Sequence, residues 1–358
     1  MIKLKINGRV VEVEPGSTIL QAAQKLGIFI PTFCNDDLGR LTAKYCMNCH
    51  EFGDCKMCSC EVEGYVSLLT ACNTPAQEGM VVWTESEEVK TARISILLRL
   101  LATHPLDCMN CGKLGDCKLQ KYCEMYGVTG PVYQMPYMHR EKDMSSRFYF
   151  QEMDKCIRCG KCIRICRELV GMNALAMAQR GNMAYVVPNH ALRKADSACV
   201  SCGNCVSACP VGALMPKSQQ HFRRWETEKV ITTCPYCGVG CQIEYAVRNG
   251  KIVEAMPVKG PSNQGLLCVK GKFAFDFVNH KDRLKYPMIR KNGKLVRASW
   301  NEALNTVARK INEVKAEYGP DAIAGFSSAR TTNEENYLFQ KFMRAAVGTN
   351  NVDHCARL

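Results

Sequence analysis

The chain has 358 residues, with 47 lysines and arginines against 34 aspartates and glutamates, a formal charge of +13, and 47% hydrophobic and 23% charged residues. That length suits two or three domains; the composition excludes a disordered chain, and the absence of any run of 18 or more apolar residues excludes a hydrophobic helical membrane span. Twenty-four cysteines against three tryptophans depart from ordinary usage, and because Met1–Ile6 shows neither an apolar signal core nor twin arginines, the address is expected to be cytoplasmic, where thiols stay reduced and metal is their main employment.

In chain order, Ile2, Leu4 and Ile6 alternate with Lys3 and Lys5, Asn7-Gly8 signals a type I′ turn, and Val11 and Val13 alternate with Glu12 and Glu14. This predicts a hairpin over 1–14. Thr18 and Gln21 form a capping-box pattern ahead of a short helix ending at Gly27. Residues 85–102 predict a helix, with Glu85, Glu87 and Glu88 at its start, an apolar stripe of Ile94, Leu97, Leu98 and Leu101, and Pro105 beyond its end. Residues 129–147 read as a linker, and the polar, basic stretch 216–228 as a second boundary. Beyond 285 the pattern is α/β. Ser299 and Glu302 cap a helix reaching Tyr318, Ala322–Ser328 is expected as a buried strand, and a helix near Asn333–Val347 ends at Gly348.

The strongest motif is an internal repeat 43 residues apart: Cys156, Cys159, Cys162 and Cys166 follow C-x2-C-x2-C-x3-C, and Cys199, Cys202, Cys205 and Cys209 repeat it before Pro210. Two-residue gaps let one loop wrap three corners of an iron–sulfur cube, and the fourth cysteine of each run reaches the other cube. Cys156, Cys159, Cys162 and Cys209 are therefore expected to hold one [4Fe–4S], and Cys199, Cys202, Cys205 and Cys166 another. Structural zinc uses two CxxC pairs and gives no reason for eight cysteines in this order. The run resembles bacterial two-cluster ferredoxins, with Arg167 in place of the usual proline.

A second motif is Cys234-x2-Cys237-x3-Cys241 followed by Cys268-Val269-Lys270-Gly271-Lys272. Four soft ligands suit a further [4Fe–4S]. The stretch Cys234-Pro235-Tyr236-Cys237-Gly238-Val239-Gly240-Cys241 resembles the N-terminal domain of molybdopterin oxidoreductases, which bind a molybdenum or tungsten bis(molybdopterin guanine dinucleotide) beside this cluster. The resemblance implies that Lys270 lies between cluster and pterin as an electron relay; a solvated surface lysine is the plain alternative.

A third group is His104-x3-Cys108-x2-Cys111-x5-Cys117, which alone could also bind zinc. Its place between an amphipathic helix and the ferredoxin repeat is similar to that of a His-ligated [4Fe–4S] in the large electron-input subunit of respiratory complex I, in iron-only hydrogenases and in some NAD-linked formate dehydrogenases. Those families open with a β-grasp [2Fe–2S] domain, which residues 1–80 resemble through the hairpin and Pro31-Thr32-Phe33-Cys34. Cys34, Cys55, Cys58 and Cys72 are the preferred ligands, with the family's 13-residue gap before Cys72 but a long 20-residue gap after Cys34. Cys46 and Cys49 compete with Cys55 and Cys58 as the middle pair. The spare Cys46, Cys49, His50 and Cys60 could bind a further metal or stay free thiols; Cys123 is expected as a buried thiol.

The tail Val352-Asp353-His354-Cys355-Ala356-Arg357-Leu358 resembles the run just before the metal-binding residue of formate dehydrogenases. That residue is cysteine or selenocysteine, so the resemblance places it just after Leu358, as a selenocysteine whose UGA codon was read as a stop; a deliberate truncation is the alternative. No catalytic metal ligand is then expected within the chain, and Cys355 is assigned to packing.

The fold expected is multidomain α+β and α/β: a β-grasp [2Fe–2S] ferredoxin domain (1–80), a His/Cys3 [4Fe–4S] segment (81–125), a two-[4Fe–4S] ferredoxin-like domain (145–215), a molybdopterin oxidoreductase [4Fe–4S] domain (228–284) and the start of a molybdopterin oxidoreductase α/β domain (285–358). The function implied is the electron-transferring N-terminal part of a formate dehydrogenase catalytic subunit, oxidising formate reversibly to carbon dioxide. Electrons are expected to run from the Cys234 cluster through the two cubes to the His104 cluster and then the [2Fe–2S] centre, and on to an NAD(P)-reducing flavoprotein/iron–sulfur subunit, a ferredoxin or a hydrogenase module. Rival readings are an assimilatory nitrate reductase type, an electron-input subunit related to complex I or iron-only hydrogenase, a non-enzymatic relay, and a basic zinc-rich nucleic-acid binder. The last has little support: five such clusters contribute about −9 charges, leaving about +4, and there is neither a basic block nor regular finger spacing.

Overall fold

The computed structural model describes residues 1–35, 54–135, 139–218 and 222–356. Cys46, Cys49 and His50 lie outside them. The described chain divides into two compact units, Met1–Glu228 and Lys229–Leu358.

The first unit opens with the predicted hairpin, β1 (Ile2–Ile6) and β2 (Arg9–Val13), joined where Asn7 and Gly8 both take positive φ as a type I′ turn requires. Helix α1 (Ile19–Lys25) starts at Thr18, whose hydroxyl accepts from the Gln21 N–H while the Gln21 side chain accepts from the Thr18 N–H. Three further strands, β3 (Ser59–Val62), β4 (Leu69–Thr70) and β5 (Val81–Trp83), complete a five-stranded sheet in the order β2-β1-β5-β3-β4. β5 lies parallel to β1 and antiparallel to β3. Leu4, Ile6, Val11, Val13, Ile19, Leu20, Val62 and Val82 form one core between sheet and helix, each aliphatic side chain contributing about 1.5–3 kcal/mol by leaving water. Cys60 lies in this core on β3, its thiol donating to the Leu69 carbonyl at 3.4 Å, so it is a packed structural thiol.

Helix α2 (Glu87–Leu101) starts at Ser86, whose hydroxyl accepts from the Val89 N–H. Its buried face is Val89, Arg93, Leu97 and Leu101, a strict four-residue spacing. The expected stripe is thus corrected: Ile94 and Leu98 are half-buried, and an arginine occupies the centre of the apolar face. Helix α3 (Lys118–Met125) packs against α2 and buries Leu119, Tyr122 and Cys123.

The rest of the unit is short elements around loops: β6 (Tyr149–Gln151), helix α4 (Lys161–Arg164), the hairpin β7 (Leu175–Ala178) and β8 (Tyr185–Pro188), helix α5 (Asn204–Ala208) and β9 (Leu214–Pro216), which pairs with β6. α4 and α5 occupy the two halves of the cysteine repeat, and the residues before them, Gly160 and Gly203, both have positive φ.

The second unit contains a three-stranded sheet of β10 (Glu228–Thr233), β11 (Gln242–Arg248) and β12 (Lys251–Pro257), a short helix α6 (Val269–Phe273), and a hairpin of β13 (Met288–Lys291) and β14 (Lys294–Arg297). Helix α7 (Trp300–Tyr318) is capped by Ser299, whose hydroxyl accepts from the Glu302 N–H at 3.2 Å. Strands β15 (Gly325–Ser327) and β16 (Val352–His354) pair in parallel, flanking helix α8 (Asn333–Phe342) and its continuation to Val347, where Gly348 takes a left-handed φ. Two expectations are corrected. The strand within Ala322–Ser328 is shorter, and Phe326 is 80% exposed rather than buried. Cys355 is exposed rather than packed, its sulfur 3.6 Å from the Ser328 hydroxyl.

No helix among the described residues is long and apolar enough to cross a membrane.

Candidate metal centres

Cys34 follows the extended segment after α1, Cys55 and Cys58 precede β3, and Cys72 follows β4. The sheet brings all four to one end. The Cys34 thiol lies within hydrogen-bonding distance of Cys55 and of Cys72, and Cys72 also of Cys58. The Cys34 bond and burial push Cys55 upward, the Cys34 and Cys58 bonds push Cys72 upward, and Cys58 falls because Cys72 donates to it. Four thiols crowded this closely, three of them buried and Cys55 half-buried, resist ionising together unless a cationic centre sits among them.

In the repeat, Cys156, Cys159, Cys162 and Cys209 line one small apolar cavity with Ile157, Val186, Val211 and Leu214. The grouping is interleaved: three sulfurs from the first run and the last of the second. Burial pushes the Cys159 and Cys162 thiols well up. The complementary four also converge, since Cys205 and Cys202 both feel Cys199 and Cys166. Backbone N–H groups already aim at these sulfurs: Arg158 donates to Cys156 at 3.4 Å, Ala174 to Cys166 at 3.3 Å and Ser201 to Cys199 at 3.3 Å. Such N–H···S bonds are a standard control on cluster potential. The buried Tyr149 hydroxyl adds another contact at 3.2 Å to Cys199.

His104, Cys108, Cys111 and Cys117 line a single cavity of about 480 Å³ between α2 and α3. Burial, with Lys155 nearby, pushes His104 down to about 4, so the imidazole is neutral near pH 7 and free to donate a nitrogen lone pair. The loop carrying Cys108 and Cys111 is held from outside. Arg223 donates to the carbonyls of Cys111 at 2.8 Å and Met109 at 2.7 Å, Arg224 pairs with Asp116 at 3.1 Å, and the Trp225 ring lies over Gly115. Gly212 touches the same site: a Cβ there would sit 2.6 Å from the Cys111 sulfur.

In the second unit, Cys234 follows β10, Cys237 and Cys241 lie in the turn before β11, and Cys268 precedes α6. Cys234 and Cys241 both feel Cys237 and Cys268, and the Cys234 N–H donates to the Cys241 carbonyl at 2.8 Å. Gly271 leaves room for the Cys234 sulfur, which a Cβ would approach at 3.6 Å. Lys270 is exposed, its ammonium 5.9 Å from the Tyr236 ring centre. The buried lysine of this motif is Lys272, which donates to the Ala255 carbonyl at 2.7 Å and lies 3.9 Å from Glu254. Sequence spacing carried no sign of that difference, because both lysines follow the same cysteine closely.

In the first unit the Cys34 site and the His104 site both lie against the Cys156–Cys209 site. Cys34 and Cys159 share one core. On the other side Lys155, next to Cys156, pairs with Asp107 of the His104 loop at 3.0 Å, and the Lys118 N–H donates to the Pro210 carbonyl at 2.9 Å. Among the described residues no three His, Cys, Asp or Glu side chains close around a single-ion site; an iron–sulfur cluster instead spreads its protein ligands over several irons.

Comparison with known proteins agrees with this layout. Five family models match in order: a 2Fe-2S iron–sulfur cluster binding domain over 1–87, the NADH-ubiquinone oxidoreductase-G iron–sulfur binding region over 93–131, the ferredoxin-like domain of NADH-quinone oxidoreductase subunit 3 over 148–215, the molybdopterin oxidoreductase Fe4S4 domain over 227–280 and molybdopterin oxidoreductase over 283–358. The NADPH-Fe(3+) oxidoreductase subunit alpha of Geobacter sulfurreducens is 38% identical over 361 residues, covering all of this chain and 40% of the relative. A G-type NADH-quinone oxidoreductase subunit of Rhizobium meliloti is 38% identical over 364 residues with the same coverage. A Staphylococcus aureus protein provisionally named formate dehydrogenase is 30% identical, covering 98% of this chain and 39% of the relative. The chain thus spans about 40% of the length of the curated relatives it matches. A chain in the crystal structure of an NAD+-reducing [NiFe]-hydrogenase superposes with a TM-score of 0.54 at 29% identity, covering 60% of this chain and 87% of that one. With 2Fe-2S and 4Fe-4S domain matches leading into a molybdopterin oxidoreductase match, the chain is similar at its C-terminal end to molybdopterin oxidoreductases and in its iron–sulfur part to the G-type NADH-quinone oxidoreductase subunits.

Proposed function

We propose that this chain is the electron-transferring part of a molybdenum- or tungsten-dependent formate dehydrogenase catalytic subunit, acting reversibly between formate and carbon dioxide. The observation that carries the reading is the convergence of donors at five separate sites in a chain that leads into a molybdopterin oxidoreductase domain. Cys34, Cys55, Cys58 and Cys72 would hold a [2Fe–2S] cluster. Four [4Fe–4S] clusters would be held by His104, Cys108, Cys111 and Cys117; by Cys156, Cys159, Cys162 and Cys209; by Cys166, Cys199, Cys202 and Cys205; and by Cys234, Cys237, Cys241 and Cys268. Their shared chemistry is one-electron transfer. The protein's part is to fix spacing, exclude water with apolar linings and set potentials through N–H···S bonds and nearby cations. Lys270, exposed beside Tyr236, would be the electron relay between the Cys234 cluster and the pterin.

The preference for formate rests on the provisionally named relative and on the Asp353–Leu358 resemblance. Relatives named for NADPH and NADH chemistry support a dehydrogenase module as the electron-exchanging partner, which would be an NAD(P)-reducing flavoprotein/iron–sulfur subunit. They also favour a second reading, a pyridine-nucleotide-linked oxidoreductase acting on another small molecule. Anaerobic purification of the full-length protein with its partner subunits decides. Formate-dependent reduction of a viologen dye, with molybdenum or tungsten and iron present, is the expected result. Bound iron and pterin metal without formate turnover would leave the second reading standing. Zinc without iron would end both.

The ligand choice in the N-terminal domain has its own test. Replacing Cys46 and Cys49 together with serine should leave the reduced [2Fe–2S] EPR signal in place, whereas Cys55→Ser should abolish it or change its g-values. The opposite pattern would move the cluster to the competing pair.

A further inference from the structure

We propose that Arg164 is a positioning residue that couples the Cys34–Cys72 site to the Cys156–Cys209 site, by holding the two ligand loops together through one nitrogen and placing a fixed positive charge between them. Both sites are taken here as the clusters of the proposed function, so the inference rests on that reading.

The geometry is specific. Arg164 lies at the end of α4 and is 6% exposed. Its Nη2 donates to the carbonyl of Cys34 at 3.1 Å and to that of Cys159 at 3.2 Å. One nitrogen therefore joins the main chains of two cysteines 125 residues apart, each assigned to a different centre. Its Nη1 meets the Asp54 carboxylate at 3.3 Å, beside Cys55. The same arginine thus fixes the loop before Cys55 as well as Cys34, with all its contacts directional. Gly160 makes space for it: a Cβ there would lie 3.2 Å from Nη1, and the left-handed φ of +66 already disfavours a side chain.

Charge makes the position more than a staple. Each thiolate-ligated cluster carries net negative charge, and Arg164 sets a cationic guanidinium beside both. A second buried cation, Lys161, lies close to Cys34, Cys162 and Cys209, in the same gap. A cation between two anionic centres favours their reduced forms, and a guanidinium bonded to both ligand loops holds the distance over which an electron must pass. An ordinary loop staple would supply only the second effect, and potentials separate the two.

The test uses the full chain, purified anaerobically, with Arg164→Gln and Arg164→Lys. Redox-poised EPR reads the midpoint potentials of the two centres, and freeze-quench EPR after mixing with dithionite reads how fast an electron equilibrates between them. In Arg164→Gln both potentials should move to more negative values and equilibration should slow severalfold. Arg164→Lys keeps the charge but loses the two-carbonyl fork, so its potentials should stay near wild type while equilibration still slows. If the glutamine variant fails to assemble, the lysine variant carries the test alone. Wild-type potentials in Arg164→Gln, or wild-type equilibration in Arg164→Lys, overturn the proposal. Wild-type protein showing neither EPR signal would instead remove the reading on which it rests.

Discussion

Gly212→Ala should empty the His104 site while leaving the other centres intact. The added methyl would lie 2.6 Å from the Cys111 sulfur, 3.5 Å from Lys155 Cδ and 3.6 Å from Lys113 Cβ. The first distance is inside van der Waals contact, and the other two are ordinary contacts. The backbone at Gly212 has no left-handed φ, so the effect is steric rather than conformational. Relief requires the Cys111 sulfur to turn away from the cavity it lines with His104, Cys108 and Cys117. The folding cost of such overpacking is about 1–3 kcal/mol, but the larger consequence is a lost ligand. The variant should contain about four irons fewer per chain and lack one [4Fe–4S] EPR signal, with the [2Fe–2S] signal unchanged. Gly130→Ala, where the methyl meets nothing within 4 Å, should behave as wild type. Full iron content and an unaltered set of signals in Gly212→Ala would show that Cys111 is not a ligand.

Arg93→Ala should cost as much stability as truncating a buried leucine on the same helix face, about 3 kcal/mol. Arg93 is fully buried on α2. It donates to the Glu85 carboxylate, to the Tyr126 hydroxyl at 2.6 Å and to the Ser59 carbonyl at 2.9 Å. These bonds tie α2 to the end of α3 and to the first residue of β3, immediately after Cys58. Removing the guanidinium strands a buried carbonyl, a half-buried hydroxyl and a carboxylate, and leaves a void. Breaking a buried ion pair by removing one partner costs about 3–5 kcal/mol; Glu85 is 46% exposed, so the low end applies. A loss of about 3 kcal/mol would speed amide exchange over Ser59–Val62 by about two orders of magnitude where exchange follows local opening. Arg93→Lys should recover part of the protection because one donor can still reach the carboxylate. Unchanged exchange in Arg93→Ala would show that the arginine's bonds offset no more than its own desolvation, to which its unpartnered Nε contributes.

The two variants test different layers of one design. Arg93 secures the sheet that presents Cys58, and Gly212 clears space for a sulfur at the neighbouring site. Arg164 then spans two sites directly. In each case the residue acts from outside on a loop that carries proposed ligands, which is how a protein would control a cofactor whose chemistry it does not itself supply.

What the sequence determined by itself was everything encoded over short spans. The Asn7-Gly8 turn, the Thr18/Gln21 and Ser299/Glu302 caps and the left-handed stop at Gly348 all depend on hydrogen bonds or φ preferences within four residues. The cysteine spacing likewise grouped sulfurs on short loops, since two-residue gaps keep them close whatever the rest of the fold does. Tertiary structure alone decided which distant partners meet. It buried Arg93 within an apolar stripe and Lys272 rather than Lys270 against β12, and left Phe326 and Cys355 exposed. None of these is a local preference: burial of a charge is settled by whether acceptors arrive from elsewhere in the chain, as the Ser59 carbonyl does for Arg93. The same holds for Gly212 and Arg164, ordinary in sequence, whose roles come from sulfurs and carbonyls that only folding places beside them.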